Sequence, residues 1–315
     1  MDSLIEWSIL LLLLAIFFVP LLRHTKHDEI NTAVRDKASG KFLLLSQGYT
    51  HYHIAGPENG MVIVFIHGFS VPYYMWDQNF EVLAQAGFRV IRYDLYGRGL
   101  SDRPAVKYNR ALFVAQLAEL FDSLSLKGPA HLIGNSMGGA IAAAFTAEFP
   151  ERVGKVVLID PFCEKFKTGL FGIPVIGEYL TMSFLLPSSP RRQLKDFYRP
   201  QNFANWPELF REQMQYKGFA RALLSTLRYF LSRDPTPDYQ KISREGEPVL
   251  LIWGAEDRTL DLSGATKLYR ILHPDFLWVE KAGHVPQYEC PDAVNQHLID
   301  FLADQADYER IRKQA

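Results

Sequence analysis

The chain has 315 residues, 48% of them apolar and 22% charged, and a formal net charge of -1 at neutral pH. This length supports one large hydrophobic core, which we expect in a single domain with an inserted cap. The near-zero charge, without a basic stripe, excludes nucleic acid from the expected partners. Cys163 and Cys290 lack metal-ligand spacing, and they leave the redox compartment open.

The first segment, residues 4–22, is apolar except for Glu6 and Ser8. As a helix it would span about 28 Å, close to the roughly 30 Å hydrocarbon thickness of a bilayer. It lacks the basic start and the cleavage pattern of a signal peptide, and it lacks the polar face of a core helix. We therefore predict that residues 1–27 form an uncleaved, single-pass membrane anchor and its juxtamembrane segment.

The charges around this segment predict its orientation. No Lys or Arg precedes the segment, whereas basic residues follow it at Arg23, Lys26, Arg35, Lys37 and Lys41. The positive-inside rule then places the following domain in the cytoplasm.

From residue 41 onward the pattern alternates between strands and helices. Apolar runs predict eight strands, at residues 42–45, 50–54, 62–66, 88–93, 130–133, 156–159, 249–253 and 276–279. The first two form an antiparallel pair, while continuous β-branched runs such as 62–66 are typical of strands buried on both faces. An amphipathic helix is predicted at 111–126. Alternation of this kind predicts an α/β fold, a mainly parallel sheet flanked by helices.

The alternation ends between residues 162 and 246, which are rich in aromatic residues and prolines and contain no buried-strand run. We predict a helical cap inserted over the strand ends, where ligands bind in open α/β sheets. A helical decoration without a role in substrate binding is the alternative. The core domain then comprises residues 28–161 and 247–315.

The most informative motif is Gly134-Asn135-Ser136-Met137-Gly138, which lies between a predicted strand and an alanine-rich helix. This is the G-x-S-x-G pattern of a nucleophile elbow, where a strained turn requires glycine on both sides of the serine. The turn exposes the serine hydroxyl at a helix N-terminus, which favours a developing anion. A glycine-rich packing turn is the alternative interpretation.

A serine nucleophile needs a base and an orienting carboxylate. Asp257 and His284 each follow a predicted strand, on the same edge of the sheet as Ser136, and we predict a triad of these three residues. Glu256 and Asp160 are alternative acids. His67 is interpreted as a structural hydrogen-bonding residue rather than a base.

In the order Ser136, Asp257, His284, the chain resembles the α/β-hydrolases from about residue 41 to residue 305. The loop at 94–101 is similar to the D-x-x-G-x-G-x-S loop of that family. The resemblance implies an oxyanion hole made by the N–H groups of Phe69 and Met137. Apolar residues near these turns are the predicted substrate contacts: Tyr73, Phe162, Phe171 and Val285.

Ser136 excludes the family members that attack with an aspartate. Within the family, the chain most resembles the monoacylglycerol-lipase and lysophospholipase-like branch and the bacterial membrane-anchored phospholipases A. The stretch 67–104 is especially similar to the bacterial members. We therefore expect a membrane-anchored carboxylester hydrolase that releases fatty acids from phospholipids, without a metal or other cofactor. Monoacylglycerol lipase, general carboxylesterase, carbon–carbon bond hydrolase and non-catalytic lipid sensor are the alternatives.

The resemblance also bears on location and partners. It places the catalytic domain in the periplasm, on the inner membrane, against the charge rule. The expected partners are the bilayer and fatty-acyl esters. The apolar cap stretch 170–186 and the anchor predict a homodimer as a further possibility.

Overall fold

A computed structural model describes residues 5–9, 11, 27–126 and 128–303 of the chain. It contains eight strands: β1 (Lys41–Leu45), β2 (Gly48–Ala55), β3 (Val62–Ile66), β4 (Arg89–Tyr93), β5 (Ala130–Asn135), β6 (Val153–Ile159), β7 (Val249–Gly254) and β8 (Asp275–Val279). They form one sheet in the order β1-β2-β4-β3-β5-β6-β7-β8. β2 pairs antiparallel with β1 and with β4, and every other pair is parallel. The predicted eight-stranded, mostly parallel sheet is confirmed.

The central strands are buried on both faces because helices cover the sheet on each side. In β3, Val64 and Ile66 belong to one core cluster, whereas Ile63 and Phe65 belong to the other. This alternation follows from the two-residue period of a strand. It explains why the central strands appear in the sequence as unbroken apolar runs.

The helices outside the cap are α1 (Thr32–Lys37), α2 (Phe80–Gln85), α3 (Arg110–Ser123), α4 (Met137–Glu148), α10 (Leu262–Leu272), α11 (Pro286–Glu289) and α12 (Pro291–Leu302). α3 is the helix predicted at 111–126. Its start is fixed by Asn109, whose side chain accepts a hydrogen bond from the Leu112 N–H. The chain leaves the helix at its other end through Ser125, which has a φ of 49°.

The segment between β6 and β7 contains only helices in the described chain: α5 (Ile176–Leu180), α6 (Leu186–Arg192), α7 (Trp206–Met214), α8 (Phe219–Tyr229) and α9 (Thr236–Glu245), together with short turns. A π-helical turn, Thr181–Leu185, joins α5 to α6. Aromatic rings attach this cap to the core. The rings of Trp206 and Phe203 both meet Tyr288 of α11 edge to face, at 4.8 Å and 5.6 Å between centroids.

The predicted membrane anchor needs correction. Most of the segment 4–22 lies outside the described residues, and no helix in the described part of the chain is both long and apolar enough to cross a bilayer. The expectation of a single-pass inner-membrane protein, in either orientation, is therefore contradicted. The expectation rested on the apolar composition of residues 4–22 alone.

Candidate active site

Ser136 lies at the junction of β5 and α4 in a strained backbone conformation, with φ 53° and ψ -119°. Its N–H donates to the Ile159 carbonyl at 2.9 Å. The flanking glycines are required by close backbone approach. A Cβ on Gly134 would lie 2.3 Å from the Gly138 carbonyl oxygen, and a Cβ on Gly138 would lie 2.1 Å from that of Ile66. The glycines of the motif therefore allow the turn that presents Ser136 at the start of α4.

His284 and Asp257 lie together at the carboxyl edge of the sheet. The distance from His284 Nδ1 to Asp257 Oδ2 is 2.8 Å, and both side chains are almost fully buried. The other carboxylate oxygen of Asp257 accepts from the N–H groups of Thr259 at 2.7 Å and Leu260 at 3.0 Å. These bonds fix the carboxylate, which in turn orients the imidazole.

The backbone of His284 connects three parts of the molecule. Its N–H donates to the carbonyl of Asp196 in the cap at 2.7 Å. Its carbonyl accepts from the amide of Asn135, the residue before Ser136, at 3.1 Å. The histidine is thereby held beside the elbow and under the cap.

Two other acids were alternatives to Asp257. Glu256 is exposed. Asp160 is fully buried, with a φ of 40°, and its Oδ1 accepts from the Gly254 N–H at 3.0 Å. Burial and the charge of Asp257 raise the pKa of Asp160 well above its usual value, which favours the neutral form of this carboxyl. Of the three acids, Asp257 makes the hydrogen bond to His284.

Asp160, Asp257 and His284 each offer an atom within 4.8 Å of the others, which makes them a group that could in principle hold a metal ion. Two of these side chains, however, already bond to each other. The arrangement therefore fits an acid–histidine pair with a second buried carboxyl, that of Asp160, beside it.

The electrostatics favour the charged forms of the pair. Burial opposes a charge on His284, but the charge and hydrogen bond of Asp257, with a further contribution from Asp196, raise the pKa of His284 to about 9. Burial likewise opposes the charge on Asp257, and the charge and hydrogen bond of His284 outweigh it, which lowers the pKa of that carboxyl. The imidazolium that forms during serine attack is thus stabilised by its surroundings.

The loop after β3 lies next to the serine. A Cβ on Gly68 would be 3.5 Å from the Cβ of Ser136. His67 is buried, and its Nδ1 donates to the Gly68 carbonyl at 2.8 Å, while its Nε2 accepts from the Leu95 N–H at 2.9 Å. Burial lowers the pKa of His67 to about 4, so the ring is neutral. It holds the peptide group that carries the Phe69 N–H, and the roles of Phe69 and Met137 as oxyanion donors stay predictions.

The predicted substrate contacts are dispersed. The Phe162 N–H donates to the Ser136 carbonyl at 2.9 Å, and Val285 is buried next to His284. Phe171 lies in the cap, where its carbonyl accepts from Arg228 Nε at 2.7 Å. The ring of Tyr73 packs on His53, with 4.5 Å between centroids, and faces the first strands rather than the triad.

Sequence reasoning missed a buried pair behind the 94–101 loop. His51 Nδ1 lies 2.8 Å from Asp94 Oδ2, and Asp94 also accepts from the N–H groups of Tyr73 and Leu100 at 2.9 Å each. The signal was the polar residue His51 within the otherwise strand-like run 50–54. This pair fixes the loop that supports the site from below.

The apolar cap stretch 170–186 is mixed in its exposure. Leu170, Val175 and Phe184 are more than half exposed, whereas Leu186 is buried against Phe69. A groove of about 570 Å³ lies along the outer side of α8, next to the π-helical turn. The homodimer and the lipid partners expected from this stretch stay predictions.

The comparisons with known proteins agree with this geometry. The model of the Alpha/beta hydrolase family matches residues 63–297. The chain is 32% identical over 300 residues to a 2-hydroxy-6-oxo-6-phenylhexa-2,4-dienoate hydrolase of Comamonas testosteroni, covering 88% of this chain and 99% of the relative. It is 29% identical over 294 residues to a 2-hydroxy-6-oxononadienedioate/2-hydroxy-6-oxononatrienedioate hydrolase of Pseudomonas putida, covering 86% and 99%.

Solved structures give the same result. A variant of a meta-cleavage product hydrolase superposes with a TM-score of 0.66 at 26% identity, over 83% of this chain and 97% of that one. The enol-lactonase of Burkholderia xenovorans LB400 shares the fold, with a TM-score of 0.72 at 22% identity over 84% and 100%.

These relatives overturn the expected function. The prediction of a membrane-anchored phospholipase A or lysophospholipase is wrong, since relatives matching over nearly their whole length are hydrolases of 2-hydroxy-6-oxo-dienoates. The physical reason is that a serine triad does not determine which leaving group the enzyme releases. The expectation of a lipid substrate rested instead on the apolar segments of the chain.

Proposed function

Because the chain belongs to the alpha/beta hydrolase family, we propose that it is a serine hydrolase that cleaves the carbon–carbon bond beside a ketone in 2-hydroxy-6-oxo-dienoates. The observation that carries this proposal is the 32% identity to the Comamonas testosteroni hydrolase, of which the chain covers 99%. The constellation of Ser136, His284 and Asp257 supports it, because attack on a ketone needs the same nucleophile and base as attack on an ester.

In the proposed mechanism, His284 takes the proton of the Ser136 hydroxyl as the oxygen attacks the carbonyl carbon C6. Asp257 holds the imidazole and stabilises its charge. The N–H groups of Phe69 and Met137 bind the oxyanion of the tetrahedral intermediate. The elbow geometry supports this step, since it presents Ser136 at the N-terminus of α4.

Collapse of the intermediate breaks the bond between C5 and C6. This needs the 2,6-dioxo tautomer of the substrate, formed before attack by transfer of the 2-hydroxyl proton to C5. The electron pair then leaves as a dienolate with its charge on the oxygen at C2, and His284 returns the proton to that oxygen. Water, deprotonated by His284, then hydrolyses the acyl group from Ser136. For the phenyl-substituted dienoate the products are benzoate and 2-hydroxypenta-2,4-dienoate, which together contain the substrate and one water.

A dienoate carries a carboxylate that needs a cation. Arg192, at the end of α6, is the candidate, because it is close enough to Asp196 for its positive charge to act on that carboxylate. The backbone carbonyl of Asp196 in turn accepts from the His284 N–H. Gln193 follows it and donates to the Ser70 hydroxyl at 3.3 Å, which connects this end of α6 to the loop beside Ser136. A cation here would hold one end of the substrate while C6 lies at the serine.

The test is incubation of the purified protein with 2-hydroxy-6-oxo-6-phenylhexa-2,4-dienoate. We expect loss of the conjugated chromophore, with benzoate and 2-hydroxypenta-2,4-dienoate formed in equal amounts by chromatography. Arg192→Gln should raise KM about tenfold or more, whereas Arg191→Gln, a substitution of the neighbouring arginine, should not. Absence of benzoate above the level of a Ser136→Ala control would refute the proposal.

A second candidate is hydrolysis of a neutral carboxylic ester. The observation that favours it is the pair of acidic groups beside His284, Asp257 and Asp196, whose negative charges repel an anionic substrate. A neutral ester does not meet this repulsion. Turnover of p-nitrophenyl acetate without any cleavage of the dienoate would select this candidate.

A further inference from the structure

Arg98, in the loop after β4, is fully buried, yet its guanidinium contacts three separate parts of the molecule. Its Nε donates to the carbonyl of Phe69 at 2.8 Å. Its Nη1 donates to the Tyr96 carbonyl at 3.1 Å, within its own loop. Its Nη2 donates to Thr226 Oγ1 of cap helix α8 at 2.9 Å. One side chain therefore joins the residue beside the nucleophile to the cap.

The surroundings of Arg98 offer no compensating charge. In the part of the chain that the structure describes, no carboxylate forms an ion pair with Arg98. Instead, its guanidinium carbon lies 5.5 Å from the ring centroid of Phe69, 5.9 Å from that of Tyr108 and 5.6 Å from that of Phe113. Burial and the nearby charge of Arg103 lower the pKa of Arg98 to about 9, which still leaves it charged at neutral pH.

A buried charge without a partner is unfavourable compared with a well-packed apolar side chain of similar volume. Stability alone therefore gives no reason for an arginine here. The contact that requires a rigid planar fork with several donors is the simultaneous bond to Phe69, Tyr96 and Thr226.

A second connection runs parallel to the first. Gln213, near the end of α7, donates from Nε2 to the Ser70 carbonyl at 2.7 Å and accepts at Oε1 from the Gly99 N–H at 3.2 Å. It is buried like Arg98. Two consecutive carbonyls of the loop beside Ser136, those of Phe69 and Ser70, are thus held by side chains that also belong to, or reach, the cap.

We propose that Arg98 is a positioning residue that fixes the Phe69 loop to cap helix α8, so that the cap must be seated for the oxyanion hole to be formed. The proposal rests on the role given above to the Phe69 N–H. Arg98 and Gln213 hold the carbonyls of the two peptide groups that directly follow the one carrying the Phe69 N–H, so a shifted cap would displace this backbone and move the Phe69 N–H away from the reacting oxygen. Contacts between the substrate and the cap would then change the rate of turnover, because Arg98 connects the cap to the Phe69 loop.

The test compares Arg98→Lys, Arg98→Met and Thr226→Val with Arg110→Lys. Arg110 is a matched control, because its guanidinium also joins three helices, through Glu148, Asp238 and the Ala144 carbonyl. Thr226→Val removes the hydrogen bond from Arg98 to the cap, together with the bond of the hydroxyl to the Ala222 carbonyl within α8, and keeps the shape of the side chain. It keeps the test decisive if Arg98→Met does not fold.

We expect Arg98→Met to lower kcat on p-nitrophenyl acetate about 10²- to 10³-fold, the effect of losing one oxyanion donor, with KM changed less than threefold. Thr226→Val should lower kcat about tenfold, and Arg98→Lys should fall between the two. Arg110→Lys should lower only the melting temperature. A purely structural Arg98 would lower the melting temperature without this fall in kcat of the folded fraction.

Hydrogen exchange of the peptide that covers residues 67–71 is the second readout and needs no turnover. We expect exchange to rise at least tenfold in Thr226→Val and in Arg98→Lys, and to stay unchanged in Arg110→Lys. Unchanged exchange and kcat in folded Thr226→Val and Arg98→Lys would overturn the inference. Wild-type protein that cleaves no dienoate and no ester, but loses loop protection in these variants, would instead refute the proposed function alone.

Discussion

The carboxyl edge of the sheet and the cap contribute to the same site in different ways. The sheet edge supplies the groups expected to react: Ser136 and Asp257 follow strands that are buried throughout, β5 and β7, and His284 follows the exposed edge strand β8. The cap supplies hydrogen bonds to backbone groups, such as Asp196 to the His284 N–H and Gln213 to the Ser70 carbonyl. The difference teaches that chemistry is carried by the rigid sheet, whereas its alignment depends on contacts across the cap.

The largest fall in kcat should follow substitution of a residue at the sheet edge. Ser136→Ala should leave the fold intact and lower kcat about 10⁴- to 10⁶-fold, because no other group can form the acyl intermediate. Ser243→Ala is the control, since the Ser243 hydroxyl only donates to the Ile271 carbonyl between α9 and α10. Steady-state kinetics on p-nitrophenyl acetate and the dienoate measure both variants. Activity of Ser136→Ala within tenfold of wild type would remove Ser136 from the mechanism.

Substitution of the two buried acids at this edge, Asp257 and Asp160, should lower kcat to very different extents. Asp257→Asn should lower kcat about 10²- to 10⁴-fold, because the amide cannot stabilise the imidazolium of His284. Asp160→Asn should stay within about threefold of wild type, since the raised pKa of Asp160 favours its neutral form and an amide oxygen can still accept from the Gly254 N–H. Equal losses in the two variants would mean that both acids act on the histidine.

The pH profile should report the charges around His284. Because the base must be neutral, kcat/KM should rise about tenfold per pH unit and level off near pH 9, the raised pKa of His284. Asp196→Asn, which removes one negative charge, should move this rise in kcat/KM to lower pH. A rise in kcat/KM centred at pH 6.5, the pKa of an unperturbed histidine, would show that the acidic surroundings do not act on His284.

The same pKa has the opposite consequence for stability. The folded state binds the His284 proton more tightly than the unfolded state, so this contribution to stability is complete below pH 6.5 and is lost as the pH rises through about 9. The melting temperature should therefore fall over the range in which activity rises. Denaturation followed at pH 6.5 and pH 9.5 would test the sign.

The smallest effect on rate should come from the attachment of the cap. Trp206 is 97% buried and packs edge to face on Tyr288 and Phe197. Trp206→Ala should destabilise the protein by about 3–5 kcal/mol, measured by chemical denaturation, and lower kcat less than about tenfold at temperatures where the cap stays seated. Glu178→Gln, in an exposed ion pair with Arg228, is the control and should cost less than about 1 kcal/mol.

What the sequence could predict follows the same division. The runs 62–66 and 249–253 match β3 and β7 to within one residue, because a strand buried on both faces must be apolar throughout. The glycines of the elbow mark Ser136 because the turn leaves no room for a Cβ. Local pattern is enough where the physical requirement is local.

The hydrogen bonds that connect the loops of the site to the cap could not be predicted in this way. Arg98 and Thr226 are 128 residues apart, and Ser70 and Gln213 are 143 apart. Nothing in the neighbouring residues of either partner indicates these hydrogen bonds. The substrate class failed for a related reason, since the triad specifies attack on a carbonyl while the leaving group is selected by the surrounding pocket.

The most direct test of the central claim is covalent labelling with a fluorophosphonate, followed by intact-protein mass spectrometry and peptide mapping. We predict one adduct per chain, located on Ser136, and a labelling rate that falls at least 100-fold in His284→Ala while the protein stays folded. An adduct on any other residue, or a folded wild-type protein that takes no label, would contradict a nucleophile at Ser136 activated by His284.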